Sequence, residues 1–100
     1  MHKNSYQNEE LHHLYEIVDR LDESVFKYGI SCMSIDEDNM SSRMREQTNL
    51  LNLVDQWNRF YARILVENIK GKKEARKLET QYIIEYQRIF GDKPRGNITL

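Results

Sequence analysis

Four side chains near the start of the chain, Glu9, His12, His13 and Glu16, are of types that bind transition metals, and Glu-x-x-His occurs there twice in overlap. Two-metal helical bundles use that spacing to aim a carboxylate and an imidazole inward. On a helix, however, these four gather on one side, with Leu11, Leu14 and Val18 roughly opposite. The apolar side takes the core, so the spacing predicts histidines that face water, with no metal and no cofactor. Asp36-Glu37-Asp38-Asn39 resembles the opening of a calcium loop, but its sixth place is Ser41 instead of Gly and its twelfth is Gln47 instead of Glu. Helix capping accounts for these acids. Cys32 is the only cysteine, which excludes an intrachain disulfide. As a nucleophile it would need a base that only His12 or His13 could supply, through an inconvenient fold.

A second group is basic. Arg59, Arg63, Lys70, Lys73, Lys77 and Arg88 fall on one side of a helix continued through Gly71, where they could grip phosphates along a groove. Acids three or four positions away (Glu67, Glu74, Glu85) lace the same stripe with potential ion pairs, which is how a solvated helix face also reads. No glycine-rich phosphate loop, zinc ligand set or inward carboxylate pair is present. Every base that can be placed lies outside a bundle or at a helix end, so no catalytic residue is expected and the chain does not read as an enzyme.

The elements that would carry these groups all read as helices. Leu11, Leu14, Val18, Leu21, Val25 and Tyr28 alternate by threes and fours up to Gly29. A longer stripe runs through Leu50, Val54, Trp57, Tyr61, Ile64, Asn68, Gly71, Ala75, Leu78, Tyr82, Glu85 and Ile89, most of them apolar or small, its phase unbroken across Gly71. The expected fold is all-α: a helical hairpin or three-helix bundle built on a long central helix with a coiled-coil-like seam. The expected divisions are a flexible lead-in at 1–7, a helical domain at 8–90 and a mobile tail at 91–100. Within the domain, a helix at 8–28 and a connection at 29–39 precede a helical segment at 40–90. Gly71 could break that segment, but no capping residue follows it, so a continuous or kinked helix is the reading.

With 100 residues, 39% of them hydrophobic and 31% charged, a lone chain would bury little core. That favours self-association through Leu50, Val54, Trp57, Phe60, Tyr61, Ile64, Leu78, Tyr82, Tyr86 and Ile89. Residues 1–39 hold three bases against nine acids, and 40–100 hold twelve against seven, so an acidic partner could meet the second half. No charged-then-apolar leader and no apolar run of membrane-spanning length appears, and the expected compartment is the cytoplasm, a host's if the chain is viral. The function expected is a small non-enzymatic interaction module, an adaptor, regulator or inhibitor acting as a homodimer. The alternative is nucleic-acid binding by the basic face.

Overall fold

The computed structural model describes residues 10–97, so the lead-in, the first two residues of the expected helix at 8–28, Glu9 among them, and the last three residues lie outside it. The chain runs β1 (Leu11–Asp19), β2 (Ser24–Ser31), α1 (Ser42–Asp55), β3 (Phe60–Lys70) and α2 (Lys72–Phe90). The strands form one antiparallel sheet in the order β2-β1-β3. This overturns the all-α helical bundle with its coiled-coil seam: the expected first helix is a β-hairpin, and the expected long helix is a helix, a strand and a second helix.

Burial explains why the hairpin escapes a periodicity reading. β1 is the central strand, and from His12 to Asp19 it is buried on both faces. Such a strand shows no alternation of apolar and polar residues. Its polar residues are buried with partners instead of exposed, which also corrects the outward placement of His12 and His13. A tight turn with Glu23 at positive φ joins it to β2, whose Val25, Phe26, Tyr28 and Ile30 suit a pleated surface.

Two backbone events divide the expected long helix. Gln56 adopts the left-handed conformation that ends α1. Gly71 has φ 85 and ψ 152, a region that glycine enters without a Cβ clash, and it turns the chain from β3 into α2. Between them, Asn52 of α1 fastens the start of β3. Its side chain accepts from the Phe60 N–H at 2.7 Å and donates to the Phe60 carbonyl at 3.0 Å.

The core lies between α1 and one sheet face, where Tyr15, Ile17, Met44 and Phe60 pack with Phe26, Met40, Leu51, Ala62 and Ile64. α2 packs on the sheet as well, through Tyr82 and Tyr86 edge-on to Tyr28. Beyond α2, residues 94–97 run along the outer edge of β2. The Gly96 N–H donates to the Phe26 carbonyl at 2.7 Å, and the Asn97 amide brackets the Tyr28 backbone at 2.8 and 2.9 Å. That segment satisfies an edge that would otherwise be open.

Candidate functional site

Tyr15 and Gly29 face each other across the β1–β2 ladder, and the tyrosine ring lies over the glycine. A Cβ at Gly29 would stand 2.5 Å from the Tyr15 ring. Glycine in this strand is therefore the space that lets the ring reach past β2. At the far end of the ring, the hydroxyl donates to the Gln47 side-chain oxygen on α1. Around it opens a cleft of about 480 Å³, walled by β2, α1, α2 and residues 93–97.

The cleft gathers Lys27 from β2, Arg43 from α1, Arg76 from α2 and Lys93, four cations facing a single carboxylate, Glu79. Glu79 is only 9% exposed and is held by Arg76 at 3.1 Å. Burial pushes the Tyr15 phenol above its usual range, with Glu79 adding to the shift and Arg43 opposing it. Burial also pulls the Lys27 ammonium below the usual lysine range, helped by Arg43 and opposed by Glu79. Cations beside a phenol and a nearly buried carboxylate are groups that could hold an anion and offer it a proton donor and a proton acceptor.

A larger groove, about 810 Å³, runs between α1 and β3. Its charges are balanced, Arg20 and Arg63 against Asp38 and Glu67. Arg63 is paired with Glu16 and Arg20 lies over the Tyr61 ring. Nothing there converges on a point, so volume alone does not mark the site.

The residues expected to act from sequence are scattered. Arg59 and Arg63 bind Asp19 and Glu16, Lys70 ends β3, and Lys73, Lys77 and Arg88 lie along α2, with Arg88 paired to Glu85. They share no face, because a strand intervenes where a continuous helix was expected. Of the expected interface, Phe60 and Ile64 join the core, and Tyr82 and Tyr86 stack on Tyr28. Tyr61 sits under Arg20 and Leu78 is half-buried. Leu50, Val54, Trp57 and Ile89 are exposed. Of the residues weighed for metal, His13 shares a 3.0 Å hydrogen bond with Ser41, and His12 bonds the Glu10 carbonyl. Among the described residues no group of three or more His, Cys, Asp or Glu could hold a metal ion.

Tyr15, Lys27, Arg43, Gln47 and Glu79 escaped a helical reading of the sequence, whereas that reading sets Arg76 beside the basic stripe. One signal could have found part of the set: Val25-Phe26-Lys27-Tyr28-Gly29-Ile30 is a β-rich run interrupted by a glycine, a mark of close backbone approach. No helix among the described residues is long and apolar enough to cross a membrane.

A family model described as URI fold toxin 2 matches residues 5–91. No individual curated protein and no solved structure matches the chain. A toxin family does not accord with the expectation of a regulatory module, and that part of the sequence reading is withdrawn.

Proposed function

The chain belongs to the URI fold toxin 2 family, and from that premise we propose that it is an enzyme toxin that hydrolyses phosphodiester bonds in nucleic acid. The observation that carries this is the cleft in which Lys27, Arg43, Arg76 and Lys93 surround Tyr15 and Glu79. A polyanion is what a cationic cleft selects. The expectation of a non-enzyme rested on bases lying outside a bundle. With a sheet in its place, three strand and helix cations and Lys93 point into one cleft, and that ground is gone.

In this reading Arg43 and Lys27 hold the non-bridging phosphate oxygens and neutralise the charge that builds in the transition state. A water oxygen forms the new bond to phosphorus as the bond to the leaving oxygen breaks. The Glu79 carboxylate takes the water's proton, and the Tyr15 phenol, kept protonated by burial, hands its own to the leaving oxygen. Among the described residues Glu79 is the one carboxylate that lines the cleft, so a hard divalent cation, if bound, would be held there and would supply Lewis-acid assistance in place of the proton transfer to Glu79. Gln47 orients the phenol, and Arg76 orients Glu79. The place of action is the cytoplasm of a target cell, where nucleic acid is accessible.

The test is incubation of purified protein with RNA and with single- and double-stranded DNA, with magnesium and with EDTA, beside the Tyr15→Phe variant. Cleavage of at least one substrate, reduced about a hundredfold or more in Tyr15→Phe at a temperature where that variant is folded, is expected. Intact substrates throughout would remove the proposal.

A second reading concerns protein contact and has its own observation. Leu50, Leu53, Val54 and Trp57 form one stripe at α1 and are 63%, 74%, 75% and 46% exposed, an apolar patch of the kind that marks a contact surface. We infer that this stripe docks protein, a second copy of the chain being the occupant. Sedimentation at micromolar concentration should give a dimer that Leu53→Glu returns to monomer. A monomeric wild type would end this reading.

A further inference from the structure

The geometry points to a second phosphate subsite at Lys72, so that the substrate is a polymer held through at least two consecutive phosphates. This rests on the phosphodiester reading of the cleft and deepens it. Next to the cleft lies a smaller hollow of about 270 Å³, and Arg43 and Arg76 line both. The two spaces therefore adjoin along these two arginines. The hollow adds Lys72 and His12 and no carboxylate. Together the two linings carry five cations and one acid among the described residues.

The order of these groups is set by α2. Lys72, Arg76 and Glu79 are spaced by four and three, which places them in one line along one helix face. Lys72 and Arg76 are about 6 Å apart along the axis, at 1.5 Å per residue. The line starts at the amino end of α2, where the helix dipole favours anions, and runs to the carboxylate at the reacting centre. The acid of that first turn, Glu74, lies on another face and lines neither space. A strand with its scissile phosphate at Arg43 and Glu79 would lay its neighbouring phosphate against Arg76 and Lys72. A ligand with one phosphate would fill the first position only.

Binding separates these cases. A fluorescein-labelled ten-nucleotide strand and an unlabelled dinucleoside monophosphate, which has one phosphate, are titrated by anisotropy in a Glu79→Gln background. Lys72→Glu is compared with Lys73→Glu, one position away and exposed. The expected result is about a tenfold loss of ten-mer affinity in Lys72→Glu, with the slope of log affinity against log salt lowered by about one. Competition by the dinucleoside monophosphate and the behaviour of Lys73→Glu should not change. Lys72→Glu indistinguishable from Lys73→Glu, or equal losses for both ligands, would overturn the subsite. Should Lys72→Glu fail to fold, Lys72→Met removes the charge without reversing it and faces the same criteria. A parallel gel assay keeps the two readings apart. If Glu79→Gln cleaves like the wild type while Lys72→Glu loses the ten-mer, the chemistry falls and the track stands. If Glu79→Gln is inactive and Lys72 is indifferent, the reverse holds.

Discussion

Two nearly buried carboxylates, Asp19 and Glu79, each sit beside arginine, and they do opposite things. Asp19 is 1% exposed and is closed in by Arg59 at 2.8 Å, Arg95 at 2.7 Å and the Leu21 N–H. These donors consume its oxygens and tie β1, the approach to β3 and the final segment into one knot. Glu79 has one arginine partner and stands in an open cleft where cations outnumber it. The first arrangement is saturated and has nothing left to offer a ligand. In the second, cations outnumber the acid among the described lining residues, and on the proposed reading an anion from outside would pair with them. A buried acid–base pair thus indicates function here only where charge remains in excess and solvent can enter.

The largest expected effect tests the saturated member. Asp19→Ala should cost about 2–4 kcal/mol, since two guanidinium groups and a backbone N–H lose their acceptor, read from urea melts. Arg59 chiefly holds the Asp19 carboxyl well below its ordinary value of 3.8. Its stabilisation is therefore present above about pH 4 and is lost as pH falls below that. The variant should lack that acid limb. A loss under about 1 kcal/mol would mean the knot is incidental to the fold.

A smaller effect is expected at His13, where burial, reinforced by His12, holds the imidazole below its ordinary 6.5. The unfolded chain takes up a proton below pH 6.5 that the folded chain resists, so stability should fall as pH drops through that value. His13→Gln should remove a slope of at most about 1.4 kcal/mol per pH unit. An unchanged pH profile would place the titration elsewhere.

The smallest concerns Trp57. At 46% exposure, Trp57→Ala should cost the isolated chain under about 1 kcal/mol in a denaturant melt. A loss of several kcal/mol would show the ring buried in solution.

How much of this was legible in the sequence differs by region. Segments 42–55 and 72–90 are helical as expected, yet the stripe read there through Leu50, Val54 and Ile89 is exposed, and the helices bury Met44 and Thr48 in α1 and Ala75 and Glu79 in α2. The hairpin misled for a physical reason. Leu11, Leu14, Val18, Leu21, Val25 and Tyr28 keep helical spacing, whereas the central strand, covered on both sides, has no alternation to betray it. Gly71 was weighed by its missing cap, yet its positive φ ends a strand, and an acid in the first turn (Glu74) is all the acidic help α2 receives. The cleft was the least legible part. Tyr15, Arg43 and Glu79 lie far apart in the chain, and only the sheet brings them together.

The central claim is that one carboxylate serves catalysis and the other serves the fold. The most direct measurement is a paired one: cleavage rate and melting temperature of Glu79→Gln and Asp19→Asn, on the same substrate at a temperature where both are folded. Glu79→Gln should lose about a hundredfold or more in rate with its melting temperature unchanged, and Asp19→Asn should melt several degrees lower while its rate stays within about threefold. Equal rates in Glu79→Gln and wild type, or a rate in Asp19→Asn that falls as far as in Glu79→Gln, would contradict the account.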